Sequence, residues 1–498
     1  MGNFTSSQSA QEPIEQGRKR KIEDVEDSDK PSTEDLLHTP KKRKIKSTSH
    51  YIYKTLFELG ENSDVVIEAL GTRWLLHKVY LCQSGYFNSM FKGSWKESSA
   101  DVIKLDIPDD NITQEALNIA FGSLYHDDVA ITPSQVTHVL AAGTLLNLEG
   151  LISQCSEIMK ETISKVTVAS YHTASMLYGL QDTTQQCMEW LEQNIMSLQC
   201  PKLLKDISAE LMKDVVSTSN LLVIQVEMDI YTMLKKWMFL QIHANWSGSM
   251  GDLAIESEDY YKSRKNADLP FLMSVEGLPY VQVFESLRIH HIINDWPSAC
   301  SLESDGVIPQ SWMTQMYRRQ WMQMLKVEQA KDKGPCEKHM SIFDQEALRV
   351  GRVLTREAQY CWRWTGFNYG LDILMSVSNR IITIKRNTTS QSFTGSVNHR
   401  NRRRIMYRIT VTCPNEHGQS TYTKTSGKRL LSMSCNEEAV VMGIDRKAKF
   451  PMHISASFLY YSPMTGASLQ DDGSDQQEGD ESLNAGNGEE EAGANEEH

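Results

Sequence analysis

The stretch Asn62–Ser98, NSDVVIEALGTRWLLHKVYLCQSGYFNSMFKGSWKES, decides the fold. Val65 and Ile67 alternate with Asp64, Val66 and Glu68, the period-two pattern of a half-buried strand. Ala69-Leu70-Gly71-Thr72 supplies a turn, and Trp74-Leu75-Leu76 the returning strand. From His77 to Cys82 the chain reads as a helix start. After the tight Ser84-Gly85-Tyr86-Phe87 turn, Tyr86, Phe87, Met90 and Phe91 recur at helical spacing.

Working outward, Tyr51, Tyr53, Leu56, Phe57 and Leu59 predict an apolar helical face before the hairpin, so order is expected to start at Tyr51. Val102, Leu105 and Ile107 suggest a further strand ending at Pro108. Ile112 to Tyr125 reads as a helix, and Val136 to Met159 as two more with a break near Leu148-Glu149-Gly150. Residues 166–240 are helical in pattern, and 245–350 mix helical pieces with polar spacers. Beyond Gln359 the character turns to β, with strand-like runs at 381–384, 405–411 and 455–460.

The chain has 498 residues, enough for about three folded units plus tails. At 40% hydrophobic it can bury substantial cores. It has no apolar run long enough to span a bilayer and no apolar signal core at the N-terminus, which predicts an intracellular protein. Nine cysteines without a C-x-x-C pair are then expected to be reduced thiols, and the Asn-x-Ser/Thr sequons to carry no sugar. The net charge of −13 is a property of the tail: residues 471–498 hold eleven acids and no Lys or Arg, leaving the rest close to neutral. Residues 1–49 are polar, with basic clusters Arg18-Lys19-Arg20-Lys21 and Lys41-Lys42-Arg43-Lys44, and cannot offset their ordering entropy.

The order Ser63-Asp64-Val65, strand, turn, His77-Lys78, Ser84-x-Tyr86-Phe87-x-x-Met90-Phe91 and Glu97-Ser98 resembles the BTB/POZ domain, as does Leu124-Tyr125 followed by Val129-Ala130-Ile131. The run from Leu211 through Val216, Leu221, Val223, Glu227, Ile230 and Trp237 resembles the BACK domain. Asn220 stands where that family has Asp, a change an N-cap tolerates. No repeat of about 50 residues with Gly pairs follows, so kelch blades are not expected. The aromatic block Tyr360–Gly370, with Tyr51-Ile52-Tyr53 and the segments Val226–Tyr231 and Lys235–Leu240, resembles the germ cell-less family.

These readings predict a multidomain α+β chain: a disordered tail with import signals (1–49), an α/β BTB/POZ domain (50–160), an all-helical BACK-like domain (161–245), a mixed helical connector (246–350), a β-rich C-terminal germ cell-less-type domain (351–463) and a disordered acidic tail (464–498). The resemblance implies a non-catalytic adaptor that homodimerises through its BTB domain, recruits cullin-3 and holds a protein substrate for ubiquitination. It further implies nuclear or nuclear-envelope location, partners at the lamina, and a role in germ-cell development and spermatogenesis. The alternative it leaves open is a nuclear-envelope scaffold or transcriptional co-repressor that only oligomerises.

Individual residues carry these expectations. Trp95-Lys96-Glu97 has the hydrophobic-x-acid pattern of cullin-3-binding BTB domains, and an aromatic anchor beside a carboxylate suits a partner pocket. The resemblance adds Tyr125 as a second contact, and places Asp64, His77, Lys78, Tyr51 and Leu56 at the BTB pocket and dimer interface, the acid and base neutralising each other. Pro40 followed by Lys41–Lys44, with Arg18–Lys21, resembles a signal for an import receptor. Thr39-Pro40 has the look of a kinase site beside it. Met1-Gly2-Asn3-Phe4-Thr5-Ser6 fits myristoylation at Gly2. The cluster Arg400, Arg402, Arg403, Arg404 and Arg408 reads as a hairpin turn or a dock for an acidic peptide rather than a nucleic-acid contact, and the aromatic block as β-core rather than a ligand cage. No phosphate loop, H-E-x-x-H or G-x-S-x-G is present, and no cofactor or metal is expected.

Overall fold

The computed structural model describes residues 48–93, 100–126, 129–264, 269–293, 296–328, 340–365, 372–387, 402–434 and 436–461. The chain enters through Thr48–Ile52 (α1), which continues as a π-helix over Tyr53–Glu58, and then forms the hairpin Val65–Ala69 (β1) and Thr72–Leu76 (β2). Leu70 and Gly71 at its tip have φ of 45° and 76°, the left-handed pair that a two-residue link between twisted strands requires. Lys78–Leu81 (α2) and Gly85–Lys92 (α3) follow. Val102–Lys104 (β3) then pairs parallel with β1, giving the order β2-β1-β3.

The predicted alternation holds in this sheet: Val65, Ile67 and Ala69 are buried, and the register sets Ile67 between Trp74 and Ile103 on the inner face. Two expectations change. The strand predicted toward Pro108 stops at Lys104, three residues long. The N-terminal apolar stripe is not one face: hydrogen bonds spanning five residues shift the period away from 3.6, so Phe57 is buried while Tyr51 and Leu59 stand about 60% exposed.

Gln114–Gly122 (α4) meets the sheet where Phe121 and Asn118 contact Trp74, and Val136–Leu145 (α5) and Glu149–Glu161 (α6) pack on in succession. Ser84 and Thr113 cap α3 and α4 by accepting from the amides of Phe87 and Ala116, which satisfies donors that a helix start otherwise leaves unpaired. The helical run continues with Val168–Leu177 (α7), Gln181–Asn194 (α8), Pro201–Asp206 (α9), Ala209–Ser217 (α10), Glu227–Ile242 (α11) and Met250–Ser263 (α12). Val281–Glu285 (α13), Ile289–Ile292 (α14), Trp296–Asp305 (α15), Gln310–Glu328 (α16) and Met340–Glu346 (α17) complete it. Helix α11 is buried on most of its circumference, as expected of a helix at the centre of a bundle. Its Trp237 is fully buried and donates Nε1–H to the Ile207 carbonyl at 2.9 Å. One apolar core runs without a break from Phe57 to Met313, so α12–α16 are packed body and not spacer.

The remaining strands are Leu348–Leu354 (β4), Tyr360–Thr365 (β5), Asp372–Ser378 (β6), Ile381–Arg386 (β7), Arg402–Pro414 (β8), Ser420–Thr425 (β9), Arg429–Ser434 (β10), Glu438–Gly443 (β11) and Met452–Tyr461 (β12). They form two sheets, β10-β8-β12-β4 with β9 also on β8, and β11-β7-β6-β5. The apolar faces of both sheets share a single core that includes Val350, Trp364, Ile384, Ile409 and Ile454, which makes a sandwich. Trp364 is 6% exposed and belongs to this core, with the half-buried rings of Trp362 and Tyr360 stacked in a row beside it, while Cys361 and Arg363 between them are exposed.

Candidate functional site: the N-terminal pocket and the helix–sheet junction

His77 precedes α2, and its surroundings define the first site. Its backbone N–H donates to Tyr125 Oη at 3.0 Å, and its Nδ1 lies 3.1 Å from the same oxygen. Nε2 is 2.9 Å from the Glu61 carbonyl, which can only accept. The proton therefore sits on Nε2, and Nδ1 accepts from the tyrosine hydroxyl. Burial, followed by the nearby Asp64 carboxylate and the stacked Tyr80, pushes the Tyr125 phenol well above its ordinary range. Asp64 Oδ1 accepts from the Lys78 backbone N–H at 2.7 Å, satisfying another donor of the helix start.

The second site is the junction between helices and sandwich. Glu227 opens α11, fully buried, and its carboxylate takes a two-pronged bond from Arg349 on β4, which is 1% exposed at the side chain. Arg349 Nη1 also donates to the carbonyls of Val216 and Thr218, each at 2.8 Å, and the Arg288 backbone N–H donates to Glu227 Oε1 at 3.1 Å. Every polar atom of the pair is thus occupied, the condition for tolerating buried charge. Arg288, beside this pair, has its guanidinium lowered to about 9 by burial and by the Arg349 charge.

Two glycines permit the close approach. A Cβ on Gly351 would fall 1.9 Å from the Val223 carbonyl oxygen, and its N–H donates to the Gln225 carbonyl. Gly418, with φ of 80°, lets the β8–β9 turn rest on α8, where Trp190 Nε1–H and Asn194 Nδ2–H donate to the carbonyls of His417 and Gly418.

Between α8 and the polar face of the β8–β9–β12 sheet lies a cavity of about 770 Å³. Its sheet wall is a row of hydroxyls, Thr410, Thr412, Thr423, Thr425 and Ser455, and its helix wall carries Glu189 and Glu192. Arg408 and Lys428 line the cavity too, both against Asp344, with Arg408 also donating to the Ser219 carbonyl. Burial raises the Glu192 carboxyl above its ordinary value, partly offset by a hydrogen bond from the Thr218 hydroxyl at 2.7 Å.

The BTB/POZ domain family matches residues 53–163. Germ cell-less protein-like 1 of Homo sapiens is 49% identical over 431 residues, covering 86% of this chain and 84% of that protein. Germ cell-less protein-like 2 of Homo sapiens is 48% identical, with 86% and 82% covered, and Protein germ cell-less of Drosophila melanogaster is 34% identical, with 90% and 82% covered. The chain belongs to the germ cell-less family. A more distant likeness, 23% over 169 residues, is to Kelch repeat and BTB domain-containing protein 2 of Pongo abelii and covers 34% of the chain.

Against that frame of a germ cell-less family member, the sequence-derived residues divide into three groups. Asp64, His77, Lys78 and Tyr125 do lie together, with Leu56 half-buried against the helical core, but the pairing differs from expectation. Asp64 binds a backbone amide, and the Lys78 ammonium lies 5.6 Å from the Phe91 ring centre instead of neutralising the acid. Tyr125, expected as a surface contact, is 5% exposed with its hydroxyl committed to His77, so it shapes the pocket from within. Tyr51 is 61% exposed in a single copy of the chain. Trp95 and Glu97, the clusters Arg18–Lys21 and Lys41–Lys44, Gly2 and Arg400 lie outside the described residues.

The arginine cluster is not one patch. Arg403 is buried over the Tyr460 ring, Arg408 reaches across to Ser219, and Arg402 is exposed, because strand geometry sends neighbours to opposite faces. Asn220 caps no helix: α11 begins at Glu227, and Asn220 sits in an exposed turn beside the cavity. The junction pair was missed, although Glu227 was among the quoted family positions. A glutamate at the first position of a helix with a long apolar run was the available signal, since burial at that position demands a cation.

Proposed function

We infer that this germ cell-less family member is a non-catalytic adaptor of a cullin-3 ubiquitin ligase. It pairs with a second copy through its BTB domain, recruits cullin-3 and presents a protein substrate on the sandwich for ubiquitin transfer. The observation that carries this reading is the rigid union of the two ends. One apolar core joins the BTB unit to the helices, and the Glu227–Arg349 pair with Gly351 fastens those helices to the sandwich. An adaptor works by fixing a distance, and proximity alone raises effective concentration greatly. The helix α3, anchored by buried Phe87 and capped by Ser84, delivers the chain to Trp95-Lys96-Glu97, the segment assigned to cullin-3. Action at the nucleus or nuclear envelope in germ-cell development belongs to the same reading, as do the import clusters and lipidation at Gly2.

The deciding experiment is co-precipitation of cullin-3 with full-length wild type, Trp95→Ala and Glu97→Ala. Loss of an anchor worth about 2 kcal/mol weakens binding roughly 30-fold, while sedimentation still reports a dimer. Equal recovery of cullin-3 by all three proteins removes the adaptor reading and leaves the scaffold, in which the BTB domain only oligomerises.

A further inference from the structure

Strand β9 is the edge strand of the sandwich that borders the cavity. Among the described residues β9 pairs with β8 alone. The Ser426 N–H donates to the Ile409 carbonyl, which fixes the phase of the antiparallel ladder. With Thr412 opposite Thr423 and Thr410 opposite Thr425, the backbone groups of Tyr422 and Lys424 face β8, and those of Thr423 and Thr425 face outward. The side chains of Thr423 and Thr425 point to the cavity, on the same face as Thr410 and Thr412. A strand laid along β9 would continue the sheet and project alternate side chains toward α8. Six residues of strand give about 20 Å of edge.

The geometry points to β9 as the docking edge for an extended segment of the client protein, carrying a lysine or arginine that seats against Glu189 and Glu192. That the partner is a ligase client rests on the adaptor reading above; the strand edge and its charge do not. Sites for small molecules are mostly apolar and enclosed, whereas Leu222 is the single aliphatic side chain among this cavity's lining residues. Strand addition instead takes its affinity from main-chain bonds and its selectivity from alternate side chains.

Charge selects the cation. Glu189 and Glu192 share one face of α8, a spacing at which like charges repel. Arg408 and Lys428, which also line the cavity, already lie against Asp344. Glu192 is 9% exposed, and burial and Glu189 raise its carboxyl despite the Thr218 hydroxyl and the Arg408 charge, so a further cation beside the exposed Glu189 relieves the repulsion between the two acids.

The test is selection of random twelve-residue displayed peptides on the full-length chain, followed by fluorescence polarisation of the recovered peptides. Thr423→Pro removes an outward N–H that β8 does not use, a place where a strand tolerates proline. Glu189→Arg reverses an exposed charge and decides the matter alone if Thr423→Pro lowers the melting temperature. The expected result is recovered peptides carrying a Lys or Arg, slowed exchange of the Thr423 and Thr425 amides on binding, and affinity lower by about tenfold in each variant. Both variants should still co-precipitate cullin-3, so loss of peptide binding is separable from failure of the adaptor reading. No recovered peptide, equal binding to Glu189→Arg, or protection confined to another surface overturns the proposal.

Discussion

Replacing Arg349 by Met tests the junction most directly. The side chain makes four hydrogen bonds, two to the Glu227 carboxylate and two to the carbonyls of Val216 and Thr218. Methionine fills similar volume but leaves Glu227, fully buried, with the Arg288 backbone N–H as its remaining bond among those described here. Breaking a buried pair from one side costs about 3–5 kcal/mol, a large share of a typical folding free energy. Removing the second charge as well, in Glu227→Gln with Arg349→Met, should return part of that loss. The pair should therefore show a coupling energy of about 2 kcal/mol in a double-mutant cycle. Urea unfolding of the four full-length proteins supplies the cycle, and hydrogen exchange locates the loosening at β4 and residues 216–225. A loss under about 1 kcal/mol for Arg349→Met, or strict additivity in the cycle, would show that the junction is held by apolar contact and that the ion pair is incidental.

Gly351→Ala should destabilise by about 3 kcal/mol or more, because the new methyl meets two carbonyl oxygens, of Val223 and Ile454, that cannot rotate away; a near-normal melting temperature would refute the close approach. Tyr125→Phe deprives the His77 N–H and Nδ1 of their shared partner and should cost about 1–3 kcal/mol in urea unfolding. Acid should weaken the fold through His290 and His291. Burial, with Arg319 nearby, brings His290 down to about 4. His291 is held well below its ordinary value by burial, with His290 beside it. The unfolded chain therefore takes up protons below pH 6.5 that the folded chain refuses. Stability is full above pH 6.5 and falls as pH drops toward 4, by about 1.4 kcal/mol per histidine per pH unit. A melting temperature flat across that window, or His290→Gln leaving the slope unchanged, would contradict the assignment.

The legible parts of the fold were those where burial is one-sided. Strand β1 announces itself because Val65 and Ile67 face a core while Glu68 takes the opposite face against Arg73 and Lys104, and β7, β8 and β12 carry β-branched or aromatic runs. Strand β4 did not announce itself. Both its faces are covered, one by the sandwich core and the other by the helical body, so Arg349 is buried among partners that sequence cannot supply. Strand β9, Ser-Thr-Tyr-Thr-Lys-Thr, has no apolar face, since one side lines a polar cavity. The segment read as a connector hid its packing in short helices, where single residues such as Phe271, Phe284 and Ile292 are buried without a repeating period. At the N-terminal pocket the residue types were visible but their partners were not. Whether Asp64 binds an ammonium or an amide depends on where α2 begins, which sequence places only within a few residues.

The arginine on β4 belongs in effect to two structures at once. It is spelled in the first strand of the sandwich, yet the charge it cancels opens a helix 122 positions earlier. A cut placed just before that strand would leave each fragment with a stranded ion, so neither half should survive as a clean piece. Any recombination that grafted a different C-terminal unit onto these helices would have to bring a guanidinium with it, or lose the carboxylate that waits for one.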